Sequence, residues 1–176
     1  MDMPLKSGMK ILALGGARSG KTAFAETEAL RLSGNMRPVY LATGQAFDAE
    51  MEERISRHRK LRQDRFDTVE EPLDIASVIR THGANDVILI DSIGTWITNL
   101  MLADRDRPGA FDDLIAALDD TRASVILVSD ETGLGIVPEN RMARDFRDDI
   151  GLLNQRVAAM ADKVVLMVAG LPMMLK

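Results

Sequence analysis

Cysteine is absent from the 176 residues of this chain. That excludes disulfide cross-links, thiolate metal ligands and a cysteine nucleophile, and it suits a reducing cytoplasm. Histidine is scarce: with two in the chain, any zinc site would need carboxylates to complete it. Aromatic residues make up 4%, with a single tryptophan and a single tyrosine, leaving little material for platforms that stack nucleic-acid bases. Positive charge is in deficit, since 22 Lys and Arg face 27 Asp and Glu for a formal net charge of −5. Polyanion affinity rests on clustered positive charge, so no nucleic-acid partner is expected. Long apolar runs are missing too. The N-terminal "MDMPLKSGMK" lacks the apolar core of a signal peptide, and "VVLMVAGLPMMLK" is broken by Gly170 and Pro172 before it reaches bilayer length. The expectation is a cytoplasmic protein with no membrane span and a small anionic ligand.

What is present points to one domain over residues 1–176, because the length and the 46% hydrophobic content suffice for a substantial core. Five aliphatic runs end in small or polar residues: "KILALGG", "PVYLATG", "DVILIDS", "SVILVSDE" and "KVVLMVAG". Continuous apolar runs of this length mark strands buried on both faces. Helix-period segments separate them, roughly at Lys21 to Leu32, Asp48 to Arg62, Leu73 to Thr81, Gly94 to Leu102, Phe111 to Thr121 and Asn140 to Met160. Alternation of this kind predicts an α/β fold, a mostly parallel sheet flanked by helices with right-handed crossovers. The last run is followed too closely by "MMLK" for a crossover, so a C-terminal antiparallel hairpin is expected. No repeat or linker suggests a second domain.

Ligands of such sheets bind at the carboxyl ends of the strands. The first run leads into Gly15, Gly16, Ala17, Arg18, Ser19, Gly20, Lys21 and Thr22, a phosphate-loop (P-loop) pattern between a buried strand and an amphipathic helix. In that pattern backbone N–H groups converge on phosphate oxygens, Lys21 adds charge at the terminal phosphates, and Thr22 is placed to ligate magnesium. A nucleoside triphosphate, with Mg2+ or a similar divalent cation, is the expected substrate. "VILIDS" puts Asp91 at a strand end, either reaching that metal or capping the next helix. "DSIG" also fits the Asp-x-x-Gly of regulatory GTPases, but no Asn-Lys-x-Asp guanine-reading motif occurs. Asp130 and Glu131, in "VSDETGLGIVPENR", are placed either to bind metal or substrate or to turn the chain.

"DAEMEERISRHRKLR" reads as a helix with Asp48 as N-cap, acidic residues first and basic residues last. Met51, Ile55, His58 and Arg62 share one stripe, while Arg54, Arg57 and Lys60 point away from it. His58 is therefore either a core residue or a reactive one. A neutral imidazole attacks phosphorus well, and neighbouring cations would disfavour its protonation. His82, at a helix end, reads as a dipole-complementing cap.

Together, "GGARSGKT", "VYLATGQAFDAEMEERISRHR", "TVEEP", "LIDSIGTWITNL", "VSDETGLGIVPENRMARDFRD" and "LNQRVAAMADKVVLMVAG" resemble the bifunctional adenosylcobinamide kinase/adenosylcobinamide-phosphate guanylyltransferases of cobalamin biosynthesis, almost end to end. The resemblance implies a RecA-like P-loop NTPase fold. It implies phosphorylation of adenosylcobinamide by ATP or GTP, then transfer of GMP from GTP to adenosylcobinamide phosphate through a guanylyl-histidine, with release of pyrophosphate. It assigns triphosphate binding to Gly15 through Thr22 and nucleophilic attack to His58. Ala42, Thr43 and Gly44, with Arg59, Lys60, Leu61 and Arg62, fall near the guanine nucleotide. Glu70 and Asp91 match nucleotide-contacting positions, although some members carry glutamate where this chain has the shorter Asp91. It further implies a homotrimer and no tightly bound organic cofactor. Two alternatives are a P-loop small-molecule kinase of single activity, with His58 structural, and a nucleotide-dependent regulatory switch.

Overall fold

The computed structural model describes residues 8–45 and 64–176. Its elements in chain order are β1 (Lys10–Gly15), α1 (Lys21–Ser33), β2 (Val39–Ala42), β3 (Asp67–Glu70), α2 (Ile75–Arg80), β4 (Val87–Asp91), α3 (Ile93–Leu102), α4 (Arg107–Asp120), β5 (Ser124–Asp130), α5 (Arg141–Met160), β6 (Lys163–Val168) and β7 (Leu171–Met174). The predicted helix from Asp48 to Arg62 lies outside the described residues.

One seven-stranded sheet has the order β3-β2-β4-β5-β1-β6-β7. Every neighbouring pair is parallel except β6 and β7. The expected hairpin is there, with Val168 opposite Leu171. Its two turn residues, Ala169 and Gly170, both have positive φ (53° and 79°), as the tightest hairpin turn requires.

The five apolar runs became strands because period-2 alternation inside each serves two layers of helix at once. In β1, Ile11 and Ala13 join α1 residues Ala25 and Ala29 on one face. Leu12 and Leu14 join the apolar sides of α2, α3, α4 and α5 on the other. Trp96 of α3 anchors that second layer. It is 1% exposed, its ring centroid lies 5.8 Å from that of Phe111, and its Nε1 donates to Leu73 O at 2.7 Å. Trp96→Ala opens a large cavity and orphans that carbonyl, so it is expected to cost about 3–5 kcal/mol of stability. The check is a lower urea midpoint with an unchanged slope in equilibrium unfolding.

Two features depart from the sequence expectation. No strand was expected at Asp67–Glu70, where DTVE forms β3. Among the described residues β3 pairs with β2 alone, at the sheet edge, and an edge strand half open to water needs no apolar run. Asp91 consequently ends the fourth strand, not the third. Nor does Asp91 cap the following helix: the N-cap of α3 is Ser92, whose Oγ accepts from Thr95 N at 3.2 Å. His82 behaves as expected, its Nδ1 lying 2.8 Å from Val78 O at the end of α2.

Glu28 and Lys163 link α1 to β6 at 3.1 Å. Burial pushes the Glu28 carboxyl up, but hydrogen bonds and charge from Arg31 and Lys163 outweigh it, leaving the group below its ordinary value.

Candidate active site

Residues Gly16 to Gly20 turn the chain from β1 into α1, and their geometry explains the composition of the loop. Gly20 has φ 93°, and a Cβ there would lie 3.2 Å from Gly170 Cα. At Gly15 a Cβ would run into the Ser19 side chain and come within 3.0 Å of Met167 O. A Cβ at Gly16 would meet nothing within 4 Å, so the loop backbone is open on that side. The hairpin turn supports the loop from behind, with Gly170 N donating to Ser19 O at 2.9 Å.

The N-terminus of α1 stands apart from the others. Helices α2, α3, α4 and α5 each have an N-terminal N–H satisfied by a side chain, from Asp74, Ser92, Asp106 and Asn140. Helix α1 has Gly20 as its N-cap and no side-chain cap. Its free N–H groups and positive dipole end are what an anion would satisfy. Ser19 Oγ, buried and without a partner among the described residues, adds a second unmet donor in the loop. Lys21 turns back over the loop, its Nζ donating to Gly16 O at 3.0 Å and pairing with Asp130 Oδ1 at 2.9 Å.

Strand register aligns the remaining positions. Ala42 pairs with Glu70 on one side and with Asp91 on the other, so these three share one row at the carboxyl edge. Gly15 pairs with Asp130, because β5 lies between β4 and β1. Asp91 is half-buried, and the Tyr40 hydroxyl donates to its Oδ2 from the neighbouring strand. Tyr40 is itself 2% exposed and wedged edge-on against Phe66, which fixes the direction of that hydroxyl.

Thr43 is fully buried. Its Oγ1 accepts from Ser92 N and donates to Ser92 O, at 2.9 and 2.8 Å. Its N–H donates to Asp91 O, and its carbonyl accepts from Asn99 Nδ2 at 2.7 Å. All its polar groups are thus engaged within the protein, so Thr43 shapes the segment while Ala42 and Gly44 are half-buried and exposed beside it. Asn99 also donates to Pro72 O at 3.0 Å, tying the exits of β2 and β3 to α3.

The structure therefore brings together Gly15 through Thr22, and separately Ala42, Thr43, Gly44, Glu70 and Asp91 along the same edge of the sheet. His58, Arg59, Lys60, Leu61 and Arg62 lie outside the described residues. Sequence reasoning missed Tyr40 and Asn99. A signal existed for each: the only tyrosine sits two residues before a strand end, and Asn99 interrupts an otherwise apolar helix stripe with Trp96.

Among the described residues no three His, Cys, Asp or Glu side chains converge as a metal cage. A magnesium ion that arrives with nucleotide phosphates needs only one or two protein oxygens rather than such a cage, and the half-buried Thr22 hydroxyl at the start of α1 and Asp91 carboxylate at the end of β4 are oxygens of the kind it takes. Among the described residues no helix is long and apolar enough to cross a membrane.

Comparison with known proteins agrees with this geometry. Among solved structures, the KaiC-like protein PH0186 from Pyrococcus horikoshii superposes with a TM-score of 0.51 at 17% identity, over 91% of this chain and 71% of that one. A prototypical ATPase from the type III secretion system of pathogenic bacteria gives 0.52 at 13% identity, over 91% and 51%. These likenesses establish the RecA-like P-loop fold. The bifunctional adenosylcobalamin biosynthesis protein CobP of Pseudomonas aeruginosa is 42% identical over 96% of this chain and 98% of its own length. The corresponding CobU proteins of Escherichia coli and Salmonella typhimurium are 38% and 42% identical, each over 96% of this chain and 100% of their own length. Residues 11–175 match the profile of the family described as cobinamide kinase / cobinamide phosphate guanyltransferase, and the chain belongs to that family.

Proposed function

We propose that this protein carries out both family reactions on one domain, residues 1–176: phosphorylation of adenosylcobinamide by ATP or GTP, then transfer of GMP from GTP to the resulting phosphate. The observation that carries the reading is a formed phosphate loop with an uncapped helix behind it, in a chain that matches the family over residues 11–175.

In the first step the N–H groups of Gly16 through Thr22 hold the β- and γ-phosphates, and Lys21 neutralises charge that grows as the γ-phosphoryl leaves. Thr22 and Asp91 would hold a magnesium ion, which would supply charge neutralisation on the phosphate oxygens. Tyr40 keeps the Asp91 carboxylate directed, because its hydroxyl occupies one oxygen. In the second step an imidazole nitrogen of His58 attacks the α-phosphorus of GTP. The bond to the β-phosphate breaks and pyrophosphate departs. The substrate phosphate oxygen then attacks the same phosphorus, the P–N bond breaks, and the imidazole is regenerated. Arg59, Lys60, Leu61 and Arg62, with Ala42, Gly44 and Glu70, line the guanine nucleotide, and Thr43 holds Ala42 and Gly44 in shape.

A cytoplasmic location and a homotrimer belong to the same reading. Exposed Leu134, Ile136 and Val137, and the apolar edge strand with Leu171, Met173 and Met174, leave surface for subunit contact.

The test is incubation of the wild-type protein with GTP labelled at the α-phosphate. A covalent label that survives alkali and is released by acid is expected, as for a phosphoramidate. No label under conditions where cobinamide phosphate is converted to its GDP derivative would sink the histidine intermediate.

A further inference from the structure

The carboxylate nearest the phosphate-loop lysine is not the one at the end of β4. Because β5 is inserted between β4 and β1, Asp130 ends beside Gly15 and takes Lys21 Nζ at 2.9 Å. Its position is held on several sides. Glu131 N donates to Gly15 O at 3.1 Å, pinning the end of β5 to the loop. Asn154 of α5 donates from Nδ2 to Asp130 O at 3.1 Å, and Asn154 Oδ1 accepts from Ser129 Oγ at 2.6 Å. On the remaining side the carboxylate presses on the first turn of α3. A Cβ at residue 94 would overlap Asp130 Oδ2 and lie 3.3 Å from its Cγ, so the carboxylate in this position depends on glycine there. A half-buried carboxylate, with 30% of its side chain exposed, thus stands where the lysine would meet a terminal phosphate.

We propose that Asp130 is the proton acceptor of the phosphoryl-transfer step and, before nucleotide arrives, the anion that holds Lys21 in place. This rests on the kinase half of the proposed function. Without nucleotide, Lys21 needs a partner and Asp130 supplies one. When the triphosphate enters, Lys21 turns to its oxygens, because they carry more charge than one carboxylate. Asp130 is then left within a few ångströms of the γ-phosphate, beside the positive end of α3. The acceptor hydroxyl oxygen attacks the γ-phosphorus as its proton passes to an Asp130 oxygen. The bond from γ-phosphorus to the β,γ-bridging oxygen breaks, its electrons leave on the nucleoside diphosphate, and Asp130 returns its proton to water. Guanylyl transfer does not need a base at the attacking atom, because the attacking imidazole nitrogen presents a lone pair and the ionised phosphate oxygen carries no proton; the other ring N–H is lost only after the P–N bond has formed.

Asp130→Asn keeps the shape beside Gly94 and removes the charge and the basicity. With ATP and adenosylcobinamide, kcat for phosphorylation is expected to fall about 100-fold or more. The acid limb of its pH–rate profile should disappear, and ATP should bind several-fold more tightly, because Lys21 no longer has a competing anion. At saturating GTP, kcat for transfer of GMP to cobinamide phosphate should fall far less than kcat for phosphorylation, so that the ratio of the two activities shifts strongly towards transfer. The proposal is overturned if phosphorylation keeps its kcat and its acid limb. It is equally overturned if both activities fall together with unchanged ATP affinity, which marks a structural role. A lowered melting temperature in the variant is controlled by Asp130→Glu, which restores the acid limb if a base at this place is what matters. Failure of the wild-type protein to phosphorylate cobinamide at all would instead refute the kinase reading.

Discussion

His58→Ala is expected to remove guanylyl transfer while leaving phosphorylation of cobinamide intact. Nucleophile deletions cost several orders of magnitude because no other group offers the same two-step route, so a loss of roughly a thousandfold or more is expected in GMP transfer. The covalent label from α-labelled GTP should vanish with it. The kinase step draws its catalysis from the phosphate loop, so its kcat should stay within about threefold of wild type. The split is the informative result. Loss of both activities in a variant that melts normally would assign His58 to the architecture of a shared pocket, and retention of both would return it to the core.

Lys21→Ala should damage both activities at the level of nucleotide handling. Among the described residues this ammonium is held by Gly16 O and the Asp130 carboxylate, both of which an incoming phosphate can outcompete. Removing one preorganised donor from a transition state of this type costs about 100- to 1000-fold in kcat. An accompanying rise in the dissociation constants for ATP and GTP is expected from the lost ground-state contact. The fold should barely notice: Asp130 is partly solvated and can hydrate once its partner is gone, so the melting temperature should move by no more than a few degrees. Unchanged nucleotide affinity together with unchanged kcat would remove Lys21 from the site. The two variants differ in a way that can be checked, since His58→Ala separates the reactions and Lys21→Ala does not.

The legible parts of this molecule were those encoded by local chemistry. Runs such as "KILALG" and "SVILVSD" announce buried strands because both faces must be apolar. Gly-rich "GGARSGKT" announces its function because the backbone path it takes is closed to residues with a Cβ at Gly15 and Gly20. Asn140, Ser92 and Asp106 cap helices by hydrogen bonds to residues three positions on, a contact that sequence spacing alone specifies. Illegible parts had no such local mark. β3 is polar and short, and only its pairing with β2 makes it a strand. Nor does anything local mark the partner of the Thr43 carbonyl, which is Asn99, 56 residues further on.

The sequence by itself determined that this is an α/β protein with a nucleotide loop, and its motifs named the family to which residues 11–175 belong. Tertiary structure alone decided which carboxylate meets Lys21. Strand order inserts β5 between β4 and β1, so Asp130, far away in the chain, reaches that lysine while Asp91 is held by Tyr40. The reason is physical. Hydrophobic period and capping act over a few residues, whereas the order of strands in a parallel sheet is settled by which helices can pack on which face, and no local pattern records that outcome.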